Sequence, residues 1–328
     1  MSCPIGTDVA RAAALLSSGG LVAFATETVY GLGANALDAH AVAQIFEVKG
    51  RPRFDPLIVH VAELASLDRL VSSLPEKGRA LIDRFWPGPL TLVLPKTEIV
   101  PDLVTAGLAT VGVRMPAHPL ALDFIKRAGT PVAAPSANLF GQVSPTTAQH
   151  VADQLGSRID YILDGGPCSV GLESTVLDLS GPFPIVLRPG GLSRERIAEV
   201  IGPVRSADMT PHDTSPQRGP GMLSTHYATR TALVVAGCDD PLPVGPRIGL
   251  LAFVPEASLE RFAAVEILSP RGDLAEAATN LFAAMRRLDQ RELDLIVARP
   301  VPDEGLGRAI NDRLQRAARR PAATSFAP

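Results

Sequence analysis

Leu21-Val22-Ala23-Phe24-Ala25-Thr26-Glu27-Thr28-Val29-Tyr30-Gly31-Leu32-Gly33 begins as an apolar strand, turns polar through Thr26, Glu27 and Thr28, and closes on two glycines. A strand that ends in hydroxyl and carboxyl groups is placed to deliver side chains to a ligand at the carboxyl edge of an open α/β sheet. Further on, Lys49-Gly50-Arg51-Pro52-Arg53-Phe54-Asp55-Pro56-Leu57 follows a helical segment and crowds three cations between two prolines and a helix end. Arginine clamps phosphate with two donors and lysine acts as a point charge, so the loop reads as an anion site. If the segment is extended, Lys49 and Arg51 share one face. The plainer reading is a solvated surface loop.

Outward from this stretch, helices alternate with strands. Thr7 or Asp8 caps a helix carrying Val9, Ala12, Ala13 and Leu16 at helical spacing, stopped by Gly19-Gly20. Asp38 caps a second, with Ala41, Val42, Ile45 and Phe46 on one face, ending just before Lys49. The pattern predicts strands at 57–61, which contains His60, at 91–94, and at 110–114, which ends on Arg114. Helices are expected from Pro75 to Phe85 and from His118 to Ala128. Pro131-Val132-Ala133-Ala134-Pro135-Ser136-Ala137-Asn138 repeats the opening pattern, apolar first and polar at its tip. Ser144-Pro145 carries the N-cap and N1 signature of a helix through Leu155. Strands follow at 161–163, 174–179 and 185–187, and several connections are short enough to be antiparallel, which predicts a mixed sheet.

These elements make residues 1–204 one domain. Residues 205–230 have linker composition, rich in Pro, Ser, Asp and Thr, yet end in Pro220-Gly221-Met222-Leu223-Ser224-Thr225-His226-Tyr227. Residues 231–328 form a smaller α/β domain, with strands near 232–235, 248–253, 265–268 and 293–298, a helix over 273–289 and a basic helix near 306–320.

The chain has 328 residues, 46% of them hydrophobic and 20% charged, which suits globular domains with substantial cores. A net charge of −3 excludes a basic nucleic-acid coat and leaves room only for a local cationic cleft. Cys3, Cys168 and Cys238 lie far apart with no C-x-x-C pair, which is neither a disulfide framework nor a zinc site. No stretch approaches the roughly 18 apolar residues of a membrane span, and a cytoplasmic protein is expected. No P-loop, H-E-x-x-H or G-x-S-x-G occurs, and the six histidines do not make a metal-ligand spacing.

Each candidate also has an ordinary reading. Ser136 and Asn138 favour turns, Ser144 favours a cap, and His60 in an apolar strand suits a core. Arg114 and Arg188 can be exposed strand-end arginines, and His226 and Tyr227 can staple two domains together. Their joint occurrence is what carries information. Thr26-Glu27-Thr28-Val29-Tyr30-Gly31-Leu32-Gly33, Lys49-Gly50-Arg51-Pro52, Val113-Arg114-Met115-Pro116, Pro135-Ser136-Ala137-Asn138, Glu173-Ser174-Thr175-Val176, Leu187-Arg188-Pro189-Gly190, and Pro220-Gly221-Met222 with His226-Tyr227 together resemble the threonylcarbamoyl-AMP synthases, YrdC-like enzymes, in their long two-domain form.

The resemblance implies a YrdC-like twisted mixed sheet with flanking helices and a concave cleft, plus a smaller Rossmann-like domain. It implies an adenylyltransferase that joins L-threonine, bicarbonate or CO2, and ATP with its Mg2+ into threonylcarbamoyl-adenylate and pyrophosphate. The product would pass to a tRNA threonylcarbamoyl transferase. Thr28, His60, Arg114, Ala134 and Ser174 would hold threonine. Arg51, Asp55, Thr110, Ser136, Ser144, Arg188 and Tyr227 would hold ATP, with the linker folding over the cleft to bring Tyr227 in. Lys49, Arg51, Ser136 and Asn138 would be catalytic, and no protein metal cage is implied. Position 55 departs from the family's usual asparagine, and Ala25 and Thr229 replace usual prolines. Two rivals remain: a non-catalytic module binding double-stranded RNA or tRNA, and a carbamoyl-transfer maturation factor. The second calls for cysteine clusters that this chain lacks.

Overall fold

The structure, a computed structural model, describes residues 3–207, 226–241 and 247–319. Two compact units emerge: Met1–Phe140 with Ser144–Leu223, and Gly141–Val143 with Ser224–Pro328. Much of the expected linker, residues 208–225, lies outside the described residues.

In the first unit the strands are β1 (Ile5–Gly6), β2 (Val22–Phe24), β3 (Gly31–Asn35), β4 (Ile58–His60), β5 (Leu90–Pro95), β6 (Thr110–Arg114), β7 (Val132–Ala133), β8 (Tyr161–Leu163), β9 (Thr175–Asp178), β10 (Ile185–Arg188) and β11 (Arg205–Ser206). The helices are α1 (Val9–Ser17), α2 (Ala39–Lys49), α3 (Leu67–Leu70), α4 (Glu76–Phe85), α5 (Asp102–Thr105), α6 (Pro119–Ala128), α7 (Ala148–Leu155) and α8 (Arg194–Ile201). One sheet runs β1-β8-β2-β3-β7-β4-β6-β5-β9-β10-β11. It is mixed: β4 pairs with β6 in parallel, while β5–β6, β4–β7 and β2–β3 are antiparallel.

Local chemistry explains most boundaries. The carboxylates of Asp8 and Asp38 accept from backbone N–H groups of the first turns of α1 and α2. Gly50 closes α2 in the left-handed conformation at φ 61°. The expected cap at Ser144 is replaced by Thr147, whose hydroxyl accepts from His150 N–H. Residues 144–146 are committed elsewhere, since the Pro145 carbonyl accepts from Tyr30 N–H at 2.9 Å.

Strand β3 falls on the two glycines that close the opening stretch, where the sequence pattern predicts no strand. They are there for close approach. A Cβ on Gly33 would sit 2.9 Å from Val132 Cγ1, and one on Gly31 would sit 3.2 Å from Ala134 Cβ. Strand β11, within the expected linker, pairs with β10.

Period-two alternation divides the sheet's side chains between two layers. Leu32, Ala34, Val59, Leu90, Leu92, Val111 and Val113 join one core with Ile45 and Phe46 of α2, Leu81 and Ile82 of α4, and Val151 and Leu155 of α7. On the other face, Val22, Phe24, Val132, Ala134, Tyr161 and Leu163 pack under Leu16 of α1 and Phe124 and Ile125 of α6. That second cluster takes nothing from β4, β6 or β5. Hence the opposite-face residues of those strands, Ile58, His60, Thr110, Gly112, Arg114 and Thr91, belong to a region that α1 and α6 leave to other uses.

The second unit has β12 (Ala232–Val235), β13 (Ile248–Ala252), β14 (Ala264–Ile267) and β15 (Leu295–Ala298), with α9 (Leu274–Asp289) and α10 (Gly307–Ala318). All pairings are parallel, in the order β12-β15-β13-β14. Asp273 caps α9 through Ala275 N–H and Glu276 N–H.

Candidate active site

Register brings candidate residues to one face of the sheet at the carboxyl ends of two parallel strands. His60 and Arg114 are aligned partners on β4 and β6. Thr110 lies on the same face as Arg114, four residues along β6, or about 13 Å away. Between them Gly112 keeps the floor low: a Cβ there would meet Thr91 Cγ2 at 3.3 Å and Ile58 Cγ1 at 3.8 Å.

The polar turn of the opening stretch folds onto Arg114. The guanidinium donates from Nη1 to Thr28 Oγ1 at 2.9 Å and from Nε to the Gly88 carbonyl at 3.2 Å. Its Nη2 lies 2.7 Å from Glu27 Oε1. The hydroxyl chain beyond it has a fixed sense. Thr26 Oγ1 donates to the Val29 carbonyl at 2.6 Å, so the 2.8 Å contact between the two threonines is donated by Thr28. Thr28 therefore passes hydrogen bonding away from Arg114 and down into its own loop. All these groups are buried.

His60 is buried too, edge-on to Phe24. Its pKa is pushed down to about 3, first by burial and then by the charge of Arg114. The folded protein thus keeps His60 neutral, while the unfolded chain protonates it below about 6.5. The unfolded state then binds the extra proton, and stability falls with falling pH at about 1.4 kcal/mol per pH unit in that window. Replacing His60 with Asn should remove this slope. Urea unfolding of both proteins at pH 7, 6 and 5 checks it, and parallel stability profiles would refute it.

Ser174, just before β9, shares a 2.8 Å hydroxyl contact with Thr91 and receives Arg188 Nη2 on its carbonyl at 2.9 Å. Ala134 donates its N–H to the Ile58 carbonyl at 2.9 Å. Of the expected threonine set, Thr28 and His60 thus lie beside Arg114, while Ala134 is bonded to the Ile58 backbone and Ser174 to Thr91 and Arg188.

The cationic segment differs from its expected form. Lys49 is the last residue of α2, not part of an extended loop, and Gly50 turns the chain before Arg51. Lys49 Nζ donates to the Ser136 carbonyl at 2.6 Å and to the Asn138 carbonyl. Lys49 therefore meets Ser136 and Asn138 through their main-chain oxygens. Burial and then the charge of Arg51 hold the Lys49 pKa well below the ordinary lysine range, against the opposing pull of Asp55. Arg51 donates to the Asp55 and Pro56 carbonyls at 3.2 and 3.0 Å, and its Nη2 lies 2.8 Å from Asp55 Oδ2. Asp55 is thus the counterion that lets Arg51 be buried.

Ser144 donates to Glu173 Oε1 at 2.5 Å. Tyr227 belongs to the second unit, where its ring stacks on Phe282 at 5.4 Å and Arg313 lies 5.3 Å from the ring centre. Its φ of 65° is rare for so large a side chain. Sequence reasoning gave Glu27 no role beyond the polar turn and missed Glu173 and Thr91 as polar partners within the site. The signal for Glu27 was its place between two threonines in the turn.

A family model described as "Telomere recombination" matches residues 14–190, and one described as "Threonylcarbamoyl-AMP synthase, C-terminal domain" matches residues 192–319. A protein of Bacillus subtilis named threonylcarbamoyl-AMP synthase is 45% identical, over 95% of this chain and 93% of its own. Its namesake from Pyrococcus abyssi is 44% identical, over 93% and 92%. The crystal structure of P. abyssi Sua5 complexed with L-threonine superposes with a TM-score of 0.89 at 42% identity, over 97% of this chain and 98% of that one.

Proposed function

The chain belongs to the family of threonylcarbamoyl-AMP synthases, adenylyltransferase-type enzymes, and from that premise we propose how its residues divide the reaction. L-threonine, bicarbonate and ATP are joined into threonylcarbamoyl-AMP with release of pyrophosphate. Bicarbonate gives CO2 with loss of water, the deprotonated threonine amine adds to it and loses a further proton to form a carbamate, and a carbamate oxygen attacks the α-phosphate as pyrophosphate leaves. The observation that supports this best is the row Thr110–Gly112–Arg114. A cation stands at one end, a hydroxyl about 13 Å away at the other, and between them Gly112 adds no side chain to those of Thr91, Ile58 and Val93 beside it.

Arg114 takes the threonine carboxylate, with Thr28, His60, Ala134 and Ser174 around it. Thr110, Ser136, Ser144, Arg188 and Arg51 hold the nucleotide. Lys49 fixes the 136–138 backbone against which the phosphates lie. Such a reaction needs positioning and charge neutralisation more than a nucleophilic side chain. Magnesium enters on the phosphate oxygens. Asp55 is already engaged by Arg51 at 2.8 Å, so no protein cage is assigned to the ion.

The product then passes to a transferase acting on tRNA, in the cytoplasm. Among the described residues no helix is long and apolar enough to cross a membrane. A non-catalytic RNA module is set aside: the relatives are named synthases, and Lys49, Arg51, Arg114 and Arg188 are buried rather than displayed.

Incubating the protein with ATP, bicarbonate and L-threonine should release pyrophosphate in proportion to threonine. Release no greater than in a threonine-free control would overturn the proposal.

A further inference from the structure

Glu27 has no part in the division of labour above, yet it is buried in the centre of it. Only 6% of the residue is exposed, and Oε1 lies 2.7 Å from Arg114 Nη2. Neither carboxylate oxygen has a hydrogen-bond partner with proper geometry. The neighbouring hydroxyls do not supply one, because Thr28 donates to Thr26 and Thr26 donates to the Val29 carbonyl. Burying a carboxylate with so little hydrogen bonding is costly unless a donor arrives with the ligand.

Charge balance says what that donor is. Glu27 already neutralises Arg114, so a bare carboxylate ligand on Arg114 would leave the pocket with one uncompensated negative charge. An amino acid brings its own cation on the adjacent carbon. We propose that Glu27 recognises the α-ammonium of L-threonine. Arg114 and Glu27 then form a paired reader of the zwitterion, selecting amino acids over other carboxylic acids before any chemistry. This rests on the reading that Arg114 takes the carboxylate.

The plainer alternative is that Glu27 only orients Arg114, and two ligands separate the cases. Calorimetric titration of the full chain would use L-threonine and the dihydroxybutanoate in which a hydroxyl replaces the amine. The wild type should prefer threonine by at least roughly tenfold, the worth of one retained charge contact. Glu27→Gln should lose most of that preference, weakening threonine at least roughly tenfold while the hydroxy acid binds as well as in the wild type or more tightly, because Arg114 is then free to balance its carboxylate. Glu27→Asp keeps the charge beside Arg114 and retracts it by one methylene, so it should also lose preference, with the fold secure. Equal weakening of both ligands in these variants, or no preference in the wild type, would overturn the role of Glu27 alone. Unchanged threonine binding in Arg114→Lys would instead overturn the carboxylate reading and this inference with it.

Discussion

Arg114→Lys should lower kcat/KM for L-threonine by roughly a hundredfold while leaving the KM for ATP within a few-fold of wild type. The guanidinium makes three simultaneous contacts in fixed directions: Thr28 at 2.9 Å, the Gly88 carbonyl at 3.2 Å and Glu27 at 2.7 Å. That fork also sets the plane in which a carboxylate would be received. Lysine keeps the positive charge, so Glu27 is not stranded and the fold should survive. It cannot hold all three partners and still present two parallel donors to a ligand. Losing one charge-assisted contact in a buried site costs about 2–5 kcal/mol, and about 1.4 kcal/mol is a factor of ten. Steady-state pyrophosphate release with threonine and ATP varied separately measures both constants. A kcat/KM for threonine within threefold of wild type would show that Arg114 is structural.

The same region shows what can and cannot be read from a sequence. The alternation of Val111 and Val113 with Thr110, Gly112 and Arg114 is visible in the string, and it fixes which residues share a face once 110–114 is recognised as a strand. What the string does not contain is the partner strand and its register. His60 and Arg114 are far apart in the chain and become neighbours only because β4 and β6 align them. Both residues close their strands, so reasoning from strand tips finds the end of the sheet but not which tips are neighbours. Gly31 and Gly33 mislead for a related reason: a glycine kept for close packing and one kept for a turn look alike until Val132 and Ala134 are seen beside them. Position 55 is the converse case. Asparagine is usual there in the family that the sequence resembles, and the aspartate gains its meaning from Arg51, four residues earlier and 2.8 Å away. Ser144-Pro145 carried a real helix signal in the wrong place, because the Ser144 hydroxyl is committed to Glu173.

Lys49 draws its consequence from burial. Read from spacing alone, Lys49→Ala should silence turnover without disturbing the fold, since a loop lysine supports little structure. With Nζ buried and donating to the Ser136 and Asn138 carbonyls, the variant instead removes two charge-assisted hydrogen bonds to the main chain, although the Ser136 carbonyl keeps the Asn138 N–H at 3.0 Å. Such bonds contribute about 1.5–3 kcal/mol each, offset in part by the cost of burying the ammonium, so Lys49→Ala should lose roughly 2–4 kcal/mol of stability along with its activity. Lys49→Met separates the two effects differently, because it fills the volume without supplying the donors. It should recover packing but not the two hydrogen bonds, so its stability should stay below wild type and its turnover should remain low. Denaturant midpoints measured beside pyrophosphate release decide the point. If Lys49→Ala unfolds at the wild-type midpoint, the Ser136 and Asn138 carbonyls do not depend on Nζ. Lys49 would then act on the phosphates directly rather than by holding the 136–138 backbone in place.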